Sequence, residues 1–223
     1  MTESMQSDIS ICSLKEDTDL PEVSRLFKDA FLTNEPTCRA LHVVPEEVMD
    51  WYTVVIKACL SSGLSLGARD TSSNALVAMM LNKVLTPKQN STFGNPVGKT
   101  TNKQILILSE IFEEVENTVD IFTKYNVERV LELGILTVDP KYSGKGLGKR
   151  LVEKSEELAL NNGCQLANVQ ASNIATQSIF KKRNYETYLT YSMEGKPQFD
   201  LKAAGDTTCW LMMAKPLVEL PQG

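Results

Sequence analysis

LELGILTVDPKYSGKGLGKR, residues 131–150, is the stretch that decides the fold. Its first half is apolar and predicts a strand, which Pro140 ends because proline cannot donate to a sheet ladder. Gly144, Gly146 and Gly148 follow, and the apolar residues beyond them recur with helical spacing. A strand, a glycine loop and a helix N-terminus favour an anion-binding site, because the first-turn amides are unpaired and lie at the positive end of the helix dipole.

Two common phosphate-binding motifs do not fit this loop. A P-loop requires GxxxxGK followed by Ser or Thr, but Asp139 stands at the first glycine position and Gly146 follows the lysine. A dinucleotide-binding GxGxxG requires a third glycine, where this sequence has Lys149 or Leu151. The loop therefore belongs to neither class.

Composition restricts the classes of protein to which the chain can belong. Its 223 residues and 42% hydrophobic content suit one sizeable domain that spans residues 1–223. The net charge is -5, the pI is near 5.1, and lysine and arginine form no long cluster, which argues against nucleic acid as a partner. An acidic surface mildly favours cationic substrates.

The cysteines and the apolar runs indicate a compartment. Five scattered cysteines without a CxxC pair favour reduced thiols over a disulfide framework or a metal site. The sequence begins with no basic-then-apolar leader, and no run approaches the roughly 20 apolar residues needed to cross a bilayer. We therefore expect a soluble cytoplasmic protein that binds no metal and no membrane, and we favour a monomer.

Alternating strand and helix patterns predict an α/β domain with a mixed sheet. Strands are predicted at residues 8–14, 64–69, 76–84, 131–138, 165–170, 185–191 and 207–214, with helices starting near residues 19, 45, 105, 147 and 173. Asp19 and Glu22 resemble a capping box for the first helix, which Pro36 separates from the next. Residues 86–102 and 194–205 are predicted as irregular connections.

The pattern V-x-P-x-Y-x-G-x-G-x-G, which begins at Val138, resembles the acetyl-CoA loop of the GNAT acetyltransferases. This resemblance implies the GNAT acyl-CoA N-acyltransferase fold, a splayed central sheet flanked by helices, with acetyl-CoA as co-substrate. It implies that the cofactor contacts Leu136, Thr137, Val138, Ser143, Gly144, Lys145, Gly146, Leu147, Gly148, Asn173 and Phe180. In this arrangement the backbone N–H near Leu136 faces the thioester oxygen. Ser143 departs from the family, which has Gln or Arg there, so pyrophosphate contacts at this position must come mostly from backbone.

Within that family, two segments are similar to the insect arylalkylamine N-acetyltransferases. FLTNEP, residues 31–36, matches a motif whose glutamate is thought to act as the base, which implies that role for Glu35. Ser172 and Thr176 match two hydroxyl residues, four apart, that line the active site in that branch. The resemblance implies small arylalkylamine substrates of the dopamine, serotonin or tryptamine type.

The chemistry of amine acetylation explains why a base is needed. An aliphatic amine has a pKa near ~10.4, so it arrives protonated at neutral pH and cannot attack a thioester. Glu35 is the candidate for removing that proton, although it and Asn34 can also simply terminate a helix. Ser172 is equally suited to cap a helix. Phe180 occupies the place of a proton-donating tyrosine in many GNAT enzymes and cannot donate, so the departing thiol must take its proton from a hydroxyl, water or the amine.

The sequence is also compatible with other functions. His42 is the only histidine, which excludes a histidine pair. No cysteine lies in the motif, so we expect direct transfer in a ternary complex. Polyamines or other alkylamines, and less strongly protein amines, are alternative substrates, and a catalytically silent acyl-CoA sensor is an alternative to an enzyme. Tyr142, Trp51, Tyr52, Met79 and Met80 can line an amine pocket or belong to the core.

Overall fold

In the computed structural model, which describes residues 8–88 and 100–220, seven strands form one mixed sheet in the order β1-β2-β3-β4-β5-β7-β6. The strands are β1 (Ile9–Ser13), β2 (Leu66–Asp70), β3 (Leu76–Leu85), β4 (Val130–Val138), β5 (Leu166–Ala171), β6 (Glu186–Ser192) and β7 (Cys209–Pro216). Every neighbouring pair is antiparallel except β4 and β5, which are parallel. The predicted mixed α/β sheet is confirmed.

Helices cover both faces of the sheet. They are α1 (Glu16–Leu26), α2 (Pro36–Ala40), α3 (Pro45–Ser61), α4 (Lys103–Thr118), α5 (Ile121–Tyr125), α6 (Leu147–Asn161), α7 (Ile174–Lys182) and α8 (Leu201–Ala204). Apolar residues of α1, α3 and α4 form a core on one face, while those of α6 and α7 form a second core on the other. Both cores bury the apolar sides of strands, as a layered α/β fold requires.

The central strands part shortly after they meet. Parallel pairing of β4 with β5 covers only residues 130–132, ending at Glu132 opposite Asn168. On its other edge, β4 pairs with β3 along its length, with a register shift that leaves Gly134 as an extra residue between Leu133 and Ile135. Such a bulge bends a strand. The sheet therefore opens between β4 and β5 beyond Glu132.

A charged cluster connects α6 with the last two strands. Glu156 accepts hydrogen bonds from Arg183 Nη2 at 2.7 Å, from Lys215 Nζ at 2.8 Å and from the Tyr185 hydroxyl at 3.0 Å. Burial alone raises the pKa of Glu156, but the bonds and charges of Arg183 and Lys215 outweigh it and lower the pKa below its usual value. Glu156 is thus held as a carboxylate.

The first helix begins earlier than the sequence predicts. It starts at Glu16, so Asp19 lies within its first turn and accepts the backbone N–H of Lys15 at 2.8 Å. Asp19 and Glu22 both bind the Arg69 guanidinium, each at 2.7 Å, and so join α1 to β2. The expected capping box was wrong, because the helix begins at Glu16 and Asp19 lies inside it.

The two connections predicted as irregular differ in how far the structure describes them. Residues 194–205 contain the short helix α8, where Asp200 accepts the backbone N–H of Lys202 at 3.0 Å. Most of the other connection, residues 89–99, lies outside the described residues. Over residues 8–88 and 100–220, no helix is long and apolar enough to span a membrane, and no cluster of metal-ligating side chains is found.

Candidate active site

The opening between β4 and β5 forms a long cleft of about 650 Å³. Its walls include the end of β4, the glycine loop, the first turn of α6 and the N-terminal half of α7. Of the residues expected to bind the cofactor, the cleft is lined by Leu136, Thr137, Val138, Ser143, Gly144, Gly146, Leu147, Gly148, Asn173 and Phe180. Lys145 does not line it, and its Nζ lies 4.7 Å from the centroid of the Tyr142 ring.

The three loop glycines serve two physical needs. Gly144 and Gly146 have φ values of +77° and +73°, in the left-handed region where a side chain is unfavourable. Gly148 has no such φ, but a Cβ there would lie 3.0 Å from Cδ1 of Ile179 on α7. The glycines therefore shape the turn into α6 and let α6 approach α7 closely beside the cleft.

The end of β4 presents backbone groups to the cleft. Asp139 donates its backbone N–H to Val77 O on β3 at 2.8 Å. Because backbone groups alternate in direction along an antiparallel strand, the N–H of Thr137 also faces β3, whereas those of Leu136 and Val138 face the opposite edge. Pairing with β5 has already ended there, so these two N–H groups lie on the open side of β4.

A smaller inner cavity of about 60 Å³ adjoins the long cleft. Six residues line both spaces, and we call them the junction: Phe31, Glu35, Leu133, Gly134, Gln170 and Ser172. Beyond the junction, four aromatic rings form half of the residues that line the inner cavity, those of Trp51, Tyr52, Phe112 and Trp210. An apolar chamber thus opens onto the point where the cleft, β4 and β5 meet.

Glu35 lies at the junction and is buried, with 7% of its surface exposed. Its Oε2 accepts the backbone N–H of Cys38 at 2.6 Å and so caps α2, while its Oε1 is buried without a hydrogen-bond partner. A π-helical turn over Phe27–Leu32 leads into this position, and Asn34 donates its side-chain amide to Ala30 O at 2.7 Å. Glu35 is therefore a helix cap that still has one unpaired carboxylate oxygen.

Two neighbours of Glu35 remain protonated. Burial, and after it the charge of Glu35, raises the pKa of the Cys38 thiol well above its usual value. Burial likewise raises the pKa of Tyr52, with smaller contributions from Cys38 and Glu35. Cys38 is thus a thiol rather than a thiolate, which makes it a poor nucleophile.

The two predicted hydroxyl residues lie at different depths. Asn173, not Ser172, caps α7, because its Oδ1 accepts the backbone N–H of Ala175 at 2.8 Å. Ser172 lines both spaces at the junction, whereas Thr176 lines the long cleft alone. The hydroxyl of Ser172 is therefore not used for helix capping.

The other residues that were predicted either to line an amine pocket or to belong to the core lie in different places. Trp51 and Tyr52 line the inner cavity, and Met80 lines the long cleft. Met79 is a fully buried core residue, and Tyr142 lines the long cleft while donating its hydroxyl to Asp70 at 2.7 Å. Two further residues are fixed by other contacts: Phe180 is buried against Tyr185, and His42 lies 3.4 Å from Asp200 and lines neither space.

Sequence reasoning missed Gln170, although it lies at the junction. Its Oε1 is buried without a hydrogen-bond partner. The signal available in the sequence was a long polar residue near the end of an otherwise apolar strand, LANVQA. That pattern alone does not tell which strand lies opposite, so the role of the position was not apparent.

Residues 114–185 match the family model described as Acetyltransferase (GNAT) family. This match covers the end of α4, the central strand, the glycine loop and α7. Over these residues the chain is similar to the GNAT acetyltransferases, whose proteins use acyl-CoA. The predicted resemblance is confirmed.

The fold is similar to several solved structures over nearly its whole length. Arylalkylamine N-acetyltransferase 2 from Aedes aegypti superposes with a TM-score of 0.84 and 20% identity, over 95% of this chain and 100% of that chain. The polyamine N-acetyltransferase of Drosophila melanogaster, an enzyme that forms N-acetylagmatine, gives 0.80 and 17% over 94% and 100%. At these identities the likeness shows the fold, and the predicted splayed GNAT sheet is confirmed.

Proposed function

We propose that this protein is an acetyl-CoA-dependent N-acetyltransferase that acts on the primary amine of a small arylalkylamine. The observation that carries this proposal is the junction. There the unpaired Oε1 of Glu35 lies between a cleft with the features of a CoA site and a chamber walled by aromatic rings. An amine held in the chamber meets a carboxylate at the point where it would meet a thioester.

The residues of the long cleft fit a CoA thioester, which supplies an activated acetyl group when bound. Backbone N–H groups from Gly144 to Gly148, together with the first turn of α6, can bind pyrophosphate oxygens without the missing long side chain. The backbone N–H groups of Leu136 and Val138 have no partner strand, so they can bind the amide groups of pantetheine. The Leu136 N–H is suited to stabilise negative charge that develops on the thioester oxygen.

Glu35 is proposed as the general base. The carboxylate can take the ammonium proton through Oε1 while Oε2 stays bound to the backbone N–H of Cys38. Because the capping bond fixes the carboxylate, the free oxygen keeps its direction when a substrate enters. The same residue thus has a structural role and a proposed catalytic one.

The hydroxyl residues are proposed to act on the leaving-group side. Ser172 lies at the junction and is free to donate a proton to the departing sulfur, directly or through water. Thr176 faces the long cleft one helical turn later, which suits contact with the cofactor. Phe180 cannot donate and is proposed to pack beneath the pantetheine arm.

Polyamines are the second candidate substrate class, and one observation favours them. The inner cavity is lined by Glu132 in addition to Glu35, so two carboxylates lie near a substrate that carries two positive charges. The polyamine-acetylating structural relative has the same fold. We place arylalkylamines first because five aromatic rings line the cavity, which suits a ring more than a flexible cationic chain.

Release of free thiol from acetyl-CoA tests this proposal. The purified protein is mixed with acetyl-CoA and, separately, with tryptamine, dopamine, serotonin, spermidine, putrescine and agmatine. We expect thiol release with the aromatic amines at a kcat/KM at least about tenfold above that of the others. Acetyl-CoA binding without thiol release for any amine would favour the silent sensor, and a preference for spermidine or agmatine would favour the second candidate.

A further inference from the structure

We infer that Gln170 holds the substrate nitrogen, as a second acceptor opposite Glu35, and thereby makes the site selective for primary amines. The inference rests on the proposed function and assigns to that site a residue that no sequence motif singles out. Gln170 lines the cleft and the inner cavity together with Glu35 and Ser172. Its Oε1 and the Oε1 of Glu35 are both buried acceptors without a partner.

The fold explains why this amide oxygen is free. The backbone of Gln170 is fixed on one side by β7, where it pairs with Met212, while the partnership of β5 with β4 has ended two residues earlier at Asn168. Asn168 lies on the same face of β5, but its Oδ1 accepts the hydroxyl of Tyr188 at 2.9 Å. Of these two amides on one strand face, only Gln170 has a side-chain oxygen without a hydrogen-bond partner.

Buried acceptors without partners are rare, because an amide oxygen removed from water loses its hydrogen bonds. The substrate itself offers the missing donor. A primary ammonium has three N–H bonds, of which one is given up to Glu35. Once Glu35 has passed this proton to water, the two N–H bonds of the neutral primary amine can be donated to Glu35 Oε1 and to Gln170 Oε1, so that the nitrogen lone pair is left to face the long cleft.

Acetyl transfer forms one bond and breaks another. The nitrogen lone pair forms the new N–C bond, and the C–S bond of the thioester breaks, so that its electron pair leaves on sulfur. One amine proton goes to Glu35 on deprotonation of the ammonium, and a second leaves the nitrogen when the amide forms. One of these protons ends on the sulfur and the other in water, while the remaining N–H belongs to the amide product and can stay bonded to Gln170.

A secondary N-methylamine has one N–H fewer at every stage. It can give a proton to Glu35, but as the neutral amine it has a single N–H bond. With its lone pair facing the cleft and that bond donated to Glu35, its methyl group must lie against Gln170 Oε1 or displace the nitrogen. We therefore expect the wild-type protein to prefer tryptamine over N-methyltryptamine by at least about tenfold in kcat/KM, the usual effect of one lost hydrogen bond at a polar site.

The test compares this preference between the wild type and Gln170→Met, a variant that keeps the length of the side chain and removes the acceptor. We expect kcat/KM for tryptamine to fall about tenfold while the value for N-methyltryptamine changes less than about twofold, so that the preference largely disappears. Gln170→Glu keeps an acceptor at the same place and is expected to keep the preference for the primary amine. The KM for acetyl-CoA is expected to change little in either variant.

Asn168→Leu is the matched control, because it removes a paired amide from the same face of the same strand. It is expected to lower the melting temperature while leaving the ratio of the two amines unchanged. Gln170 also lines a small cavity with Asn168 and Tyr188, where a water molecule can satisfy its oxygen instead. In that case Gln170→Met retains the wild-type ratio, and the inference is overturned while the proposed function stands. If no amine releases thiol from the wild-type protein, both fail together.

Discussion

Replacement of Glu35 by glutamine separates the two roles of this residue. In Glu35→Gln the side chain keeps an oxygen that can accept the backbone N–H of Cys38, so the cap of α2 is retained and we expect a stability change within about 0.5 kcal/mol. The amide cannot take a proton. At pH 7.4 only about one part in 10³ of an amine with a pKa near ~10.4 is unprotonated, so loss of the base is expected to lower kcat/KM by about 10²–10³-fold.

The same reasoning fixes the pH dependence of the defect. The free-amine fraction rises about tenfold per pH unit, and it reaches about one tenth at pH 9.4. Glu35→Gln is therefore expected to approach within about tenfold of the wild type at that pH. The measurement is thiol release with tryptamine from about pH 6.5 to 9.5, with thermal melts of each variant.

Glu113→Gln, which changes an exposed carboxylate on α4, is the control and is expected to behave as the wild type. Glu35→Ala removes both the cap and the base, so it should lose activity equally and also about 1 kcal/mol of stability. A Glu35→Gln variant that matches the wild type at pH 7.4, or whose deficit is independent of pH, would refute the assignment of Glu35 as base.

Three further predictions concern the cleft and the core. Gly148→Val is expected to force α6 away from Ile179, at a cost of about 1–3 kcal/mol in chemical unfolding, and to raise the KM for acetyl-CoA. Ser172→Ala is expected to lower kcat by about 10²-fold because Ser172 lies at the junction, whereas Thr176→Val, which faces the cleft alone, should change mainly the KM for acetyl-CoA. The pKa of Glu156 is lowered by its arginine and lysine partners, so its stabilising effect is complete above the ordinary glutamate pKa and is lost as the pH falls through the lowered one. Unfolding curves from about pH 7 to pH 3 should therefore show a larger loss of stability in the wild type than in Glu156→Gln.

The sequence predicted those parts of the fold whose physical cause lies within one short stretch of the chain. Pro140, the glycine loop and the apolar spacing of α6 are all contained within the stretch 131–150, and the structure has strand, turn and helix there. The start of α1 was missed because Asp19 and Glu22 bind Arg69, which lies far along the chain, and no local pattern reveals that pairing.

The candidate site was predictable to a different extent for each residue. The resemblance pointed to Glu35, but the separation of its two oxygens into one capping and one unpaired atom needs the three-dimensional position of Cys38. For Ser172 the sequence left two interpretations open, and the capping role went to Asn173. Gln170 could not be assigned at all, because its meaning depends on where pairing between two strands stops.

One structural event accounts for the unpaired groups that β4 and β5 contribute to this site. Had β4 and β5 stayed paired beyond Glu132 and Asn168, the Leu136 N–H would have had a strand partner and no cleft would exist beside Gln170. The bulge at Gly134 turns β4 away at this point, and it lies at the junction itself. The backbone groups left unpaired by the split face the long cleft, and the side-chain acceptors gather where the split begins. We therefore expect a thioester to pair with the open backbone edge of β4 and an amine to donate hydrogen bonds to the side-chain acceptors beside it. The two reactants then meet at the residues where the strands diverge.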